Sequence, residues 1–180
     1  MGRNLITGGM GGLGLIFARY LSEKFDARLV LTGRTPLEGA RKQYAHEFSA
    51  AGAQVIYVQA DATDRDAMYH AVETAKERYG TLNGVIHAAG VEESLPFAKK
   101  DTASFEKVFN TKVKGCRHVM QAVKDRGVRF HIGFSSVTAK FGNETQADYT
   151  AANDMLARML QKEKNDRSAV CKVMDWTARS

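Results

Sequence analysis

The 180-residue chain has few of the residues that mark specialised architectures. Two prolines, Pro36 and Pro96, are too few for a proline-rich linker or an extended polyproline segment. Two cysteines, Cys116 and Cys171, exclude a disulfide scaffold. No apolar run approaches the roughly 18 residues that a membrane-spanning helix needs. The first residues, Met1 to Thr7, lack the apolar core of a secretory signal. What remains is ordinary globular composition, 44% hydrophobic and 26% charged, which excludes disorder as the main state. The expectation is one domain, residues 1–180, in a soluble, cytoplasmic protein.

Two features stand out against that background. Glycine is abundant, at 16, and five of the glycines fall between Gly8 and Gly14. The charge is +6, from 26 basic and 20 acidic residues, which favours anionic partners. No nucleic-acid motif accompanies the charge, so neither nucleic acid nor membrane is expected as a partner.

The hydrophobic period alternates along the chain. Short apolar runs at Asn4–Thr7, Arg28–Thr32, Gln54–Gln59, Leu82–Ala88, Val128–Ser135 and Ala169–Asp175 read as strands. Between them, Leu13–Phe25, Leu37–Ala51, a stretch from the Thr63-Asp64 cap to about Arg78, Thr102–Lys124 and Ala147–Lys162 read as helices. Strands that alternate with helices need crossover connections. The pattern therefore predicts an α/β fold: a doubly wound parallel sheet in three layers, α/β/α. Ligands of such sheets sit at the carboxyl ends of the strands, near the point where strand order reverses.

Thr7-Gly8-Gly9-Met10-Gly11-Gly12-Leu13-Gly14 joins the first strand to the first helix. Glycines let the backbone approach a pyrophosphate, and the helix start offers it free N–H groups and a positive dipole end. This strand–loop–helix context points to a dinucleotide. Where NAD binders carry an acidic residue after the second strand, this chain has Leu31-Thr32-Gly33-Arg34. A guanidinium can grip a 2′-phosphate that a carboxylate would repel, so Arg34 favours NADPH. Asp61 and Ala62 follow the third strand, where Asp61 can meet the adenine edge or cap the next helix. Ala88-Ala89-Gly90 ends the fourth strand with residues small enough to lie beneath the cofactor. His87 reads as a core histidine with no acid–base role.

A reacting constellation follows. Ser136 ends the fifth strand, Tyr149 lies thirteen residues later, and Asn153 shares a helical face with Tyr149. Lys112 sits on the long helix after the fourth strand. Hydride delivery to a carbonyl leaves negative charge on oxygen and needs a proton donor aimed at it. A phenol titrates near pH 10, and a nearby lysine ammonium is expected to lower that value. Ser136 can hold the same carbonyl oxygen as its charge develops, and Asn153 can orient the lysine or a water.

Together, TGGMGGLG, LTGR, HAAG and the Ser/Tyr pair resemble the short-chain dehydrogenase/reductase superfamily, whose nucleotide-binding unit is the Rossmann fold. Most members carry lysine four residues after the tyrosine. Here Asn153 holds that place and the lysine is Lys112, an exchange that resembles the ketoreductase domains of modular polyketide synthases and related multidomain fatty-acid and polyunsaturated-fatty-acid synthases. FSSVTAKFGNETQADYTAAN and NGVIHAAGV fit that group. The resemblance implies NADPH-dependent reduction of a β-ketoacyl thioester, carried on the phosphopantetheine arm of an acyl carrier protein, to the β-hydroxyacyl thioester. It implies Tyr149 as proton donor, Ser136 as carbonyl contact, and Lys112 and Asn153 in support. The other domains of a parent synthase would be partners. The alternatives are a nucleotide-binding module that shapes a synthase without turnover, and a stand-alone dehydrogenase of small alcohols, against which the Lys112/Asn153 exchange argues.

Two stereochemical signatures of the family are replaced. Glu92-Glu93-Ser94 stands where one type has Leu-Asp-Asp, and Phe141 stands where the other has tryptophan. The resemblance further leads us to expect a fold truncated at its C-terminal end, with the chain a piece of a larger polypeptide. Trp176 is expected where the nicotinamide side of the pocket closes.

Overall fold

The structure, a computed structural model, describes residues 2–166 and 169–177. Six strands form one parallel sheet: β1 (Gly2–Thr7), β2 (Ala27–Gly33), β3 (Gln54–Gln59), β4 (Gly84–His87), β5 (Phe130–Ser136) and β6 (Val170–Trp176). Their order is β3-β2-β1-β4-β5-β6. Strand order reverses between β1 and β4, which opens a crevice at their carboxyl ends.

The sheet is apolar on both sides because its strands are covered on both faces. Successive β1 residues show this: Leu5 points into one core and Ile6 into the other. The Leu5 side holds α3 (Arg65–Tyr79) and α4 (Thr102–Ala122), through Met68, Ala71, Val72, Val119 and Ala122. The Ile6 side holds α1 (Gly12–Lys24) and α2 (Ala40–Ala50), through Ala18 and Phe48. A third cluster seats α6 (Ala147–Asp166) against α4, with Leu156 and Leu160 beside Cys116 and Met120. The three-layer doubly wound fold read from the alternating pattern is the fold observed.

The differences lie at element ends. The second helix begins at Ala40, not Leu37, because Pro36 and a positive φ of 53° at Gly39 hold the preceding residues out of helix. The fourth strand stops at His87, since Ala88 to Gly90 leave the sheet to line the crevice. A short helix α5 (Thr138–Phe141) and a 3-10 turn (Phe97–Lys99) were not expected; each is under two turns, too short to show a period.

Candidate active site

The crevice is lined by Gly8, Gly11 and Gly12 from the loop after β1, by Arg34 after β2, by Asp61 and Ala62 after β3, and by Ala88, Ala89 and Gly90 after β4. Its volume, including the solvent at its open mouth, is ≈ 780 Å³. The remaining members of the expected cofactor set stand behind it. Thr7 is fully buried, its hydroxyl turned to His87. A Cβ on Gly9 would meet Leu31 at 2.8 Å, and one on Gly14 would meet the Gly8 carbonyl at 2.1 Å. The Leu13 side chain packs into the core under α1. These four shape the loop rather than line the crevice.

Two observations fit a dinucleotide. A Cβ on Gly12 would meet nothing within 4 Å, so the loop presents bare backbone to open space. The start of α1 has no side-chain cap and no acidic residue in its first turn, leaving its N–H groups and dipole free for an anion. Asp61 does not cap α3. It accepts from the Thr63 N–H and hydroxyl, each at 2.8 Å, while Asp64 caps the helix through the Ala67 N–H at 3.0 Å. Arg41 also lines the crevice. Sequence reading missed it because it lies on α2 among other polar residues. Only the turn of that helix toward Arg34 distinguishes it.

His87 is fully enclosed. Its Nε2 donates to the Lys112 carbonyl at 3.0 Å, so its Nδ1 accepts from the Thr7 hydroxyl at 2.7 Å. Burial first, then the Lys112 charge, push its pKa down to about 3, so the ring is neutral. It joins β1, β4 and α4, consistent with the structural role read for it.

The four expected reacting residues are brought to the carboxyl ends of β4 and β5. Lys112, on the buried face of α4, donates through Nζ to the Phe134 carbonyl at 2.7 Å and lies over the Tyr149 ring, 5.7 Å from its centroid. Asn153 donates through Nδ2 to the Tyr149 carbonyl at 2.8 Å, while its fully buried Oδ1 has no partner among the described residues. Ser135 anchors the same turn through its hydroxyl, 3.2 Å from the Asn153 carbonyl. Ser136 Oγ accepts from the N–H and hydroxyl of Thr138, at 3.2 and 3.0 Å. Both Ser136 lone pairs are thereby used, and its own proton is free to be donated. At the far side, Trp176 ends β6 with its ring edge-on to Phe134.

One expectation is corrected. Lys112 does not lower the Tyr149 phenol. Burial holds the phenol above its ordinary value, the Asn153 amide offsets part of that, and the Glu92 charge adds to it. The reason is geometric: the ammonium faces the ring and the Phe134 carbonyl. Burial lowers Lys112 itself to about 8.

A family profile described as KR domain matches residues 2–180. Polyketide synthase PksM of Bacillus subtilis (strain 168) is 34% identical over 175 residues, 97% of this chain and 4% of that synthase. A ketoreductase domain from the bacillaene assembly line is 38% identical, with a TM-score of 0.89 over 97% of this chain and 43% of that one. An N-terminal ketoreductase from the macrolactin assembly line is 33% identical, with a TM-score of 0.94 over 97% and 36%. The chain thus spans a small fraction of the synthases it matches. With its sheet order, glycine loop and sequence matched throughout the described residues, the chain belongs to the ketoreductase (KR) domains of polyketide synthases, within the short-chain dehydrogenase/reductase superfamily.

Proposed function

We propose that this domain reduces a β-ketoacyl thioester, borne on the phosphopantetheine arm of an acyl carrier protein, to the β-hydroxyacyl thioester, with NADPH as reductant. The observation that carries the reading is the meeting of Lys112, Ser136, Tyr149 and Asn153 beside the glycine-lined crevice. NADPH supplies the hydride when bound. Gly8, Gly11 and Gly12 would hold its pyrophosphate, Arg34 and Arg41 its 2′-phosphate, and Asp61 its adenine edge.

The protein's own contribution is to hold and deliver a proton. Tyr149 is a donor before reaction begins, since a phenol is protonated at neutral pH and burial raises its pKa further. Its proton passes to the carbonyl oxygen as negative charge builds there. Ser136 donates to the same oxygen, a bond that strengthens as the charge develops. Lys112, its ammonium packed over the ring and held by the Phe134 carbonyl, is the proton source of the relay that restores the phenol after the proton has gone. Asn153 Oδ1, buried and open, accepts from Lys112 or from a water in the relay that restores the phenol.

The test is NADPH oxidation with an N-acetylcysteamine β-ketoacyl thioester. Tyr149→Phe should lower kcat by about 10²–10⁴-fold with NADPH affinity retained. Wild-type turnover in that variant removes Tyr149 from its role. NADPH binding without turnover of any keto-thioester by the wild-type protein identifies a non-catalytic module instead.

A further inference from the structure

The segment after β4 runs without regular structure from Ala88 to Pro96, then through the 3-10 turn to Lys100. Lys100 Nζ donates to Asp148 Oδ2 at 2.6 Å and to the Glu93 carbonyl at 2.6 Å. The two side chains are 1% and 0% exposed. The other oxygen of the same carboxylate, Asp148 Oδ1, accepts the Tyr149 N–H at 2.8 Å. One carboxylate therefore links the segment after β4 to the main chain of Tyr149. Around it, the Leu95 N–H meets the Thr145 carbonyl at 2.9 Å, and Gln146 Nε2 meets the Glu92 carboxylate at 2.7 Å.

A buried charge pair is a costly way to fill space, since well-packed apolar residues serve as well or better. What apolar residues cannot supply is direction. Lys100 and Asp148 make three directed bonds: one joins the segment after β4 to the first turn of α6, one ties Lys100 back to Glu93 within that segment, and one holds the Tyr149 N–H within the turn. Neither side chain lines the cofactor crevice.

We propose that the Lys100–Asp148 pair is a clasp that positions Tyr149, setting the direction in which its phenol meets a substrate carbonyl. The proposal rests on the reading of Tyr149 as proton donor. Lys100 and Asp148 are positioning residues, for they act on the main chain of Tyr149 and not on reacting atoms. Proton transfer needs heavy atoms within hydrogen-bond reach, so a small tilt of the first turn of α6 is felt in kcat before it is felt in binding.

The variant that isolates positioning is Lys100→Met with Asp148→Leu, which removes both charges and leaves none unpaired. Lys100→Met alone and Asp148→Asn accompany it, the latter keeping an acceptor for the Tyr149 N–H. For the double variant we expect a Tm near wild type, unchanged NADPH affinity and a kcat at least ~10-fold lower, with KM for the thioester little altered. A second readout needs no turnover: titration of the Tyr149 phenol by the tyrosinate difference spectrum between each variant and the same variant carrying Tyr149→Phe. The charged groups facing that phenol are Lys112 from α4 and Glu92 from the segment after β4. Unclasping admits water, and the midpoint should fall. Wild-type kcat together with a wild-type midpoint in the double variant overturns the clasp. Should the double variant not fold, the same pair of results in Asp148→Asn overturns it. If the wild-type protein turns over no keto-thioester, the catalytic reading fails while the phenol titration still decides the clasp.

Discussion

At the residue scale, Lys112 carries the largest energetic conflict of the site. It is almost wholly buried, with a single polar partner for its ammonium among the described residues, the Phe134 carbonyl. Its pKa falls from 10.5 to about 8. Between those values the unfolded chain holds a proton that the folded chain has released, so stability rises with pH across that window. Below pH 8 the charge is present in both states and its burial is a constant cost. Lys112→Met should therefore be more stable than wild type at pH 7, by about 2 kcal/mol once the lost Phe134 bond is counted. The advantage should shrink from pH 8, vanish about 1.5 pH units higher and give way to a more stable wild type by pH 10.5. Cys116, one turn along α4, is pushed up to about 12 by burial and stays protonated throughout that range. Urea melts of both proteins from pH 6.5 to 10.5 give the difference directly. A difference that does not change with pH would mean Lys112 is not strained by burial. A lysine kept at such a cost is consistent with a charge retained for the reaction and not for the fold.

At the scale of elements, the glycine loop and α1 divide their work between fold and ligand. Gly14 is required by packing, because a Cβ there would lie 2.1 Å from the Gly8 carbonyl. Gly12 is not, because a Cβ there would meet open space. Gly14→Ala should lower stability by about 2 kcal/mol or more, a Tm loss of roughly 5 °C. Gly12→Ala should leave Tm unchanged or slightly higher, as alanine favours helix, while weakening NADPH about tenfold. Calorimetry with and without NADPH separates the two. Loss of stability in Gly12→Ala, or wild-type affinity, would contradict the division. These elements also show what the sequence reveals. The sheet, its helices and the loop were legible because burial on both faces imposes a period that composition exposes. Arg41 and the Lys100–Asp148 clasp were not, because each depends on two distant segments meeting, and no local period records that. The Tyr149 expectation failed for the same reason: residue type suggested an ammonium at the phenol, whereas the backbone path of α4 presents it to the ring.

At the scale of the whole molecule, the +6 charge bears on cofactor choice. Arg34 and Arg41 stand at one end of the crevice, and the α1 dipole points into it from the loop after β1. Fields from separate elements thus act on one anion. Arg34 is exposed, so its contribution to a bound 2′-phosphate is screened by salt. Replacing both arginines by alanine should weaken NADPH by about 10–100-fold at low ionic strength. NADH, lacking the 2′-phosphate, should hardly respond. Raising the salt should cost wild type more NADPH affinity than it costs the double variant, since the variant has lost the groups that salt screens. Titration calorimetry with both cofactors at two ionic strengths gives all four comparisons. If the arginine pair alters NADPH and NADH alike, charge in the crevice strengthens binding without selecting the cofactor, and the proposed preference for NADPH loses its electrostatic ground.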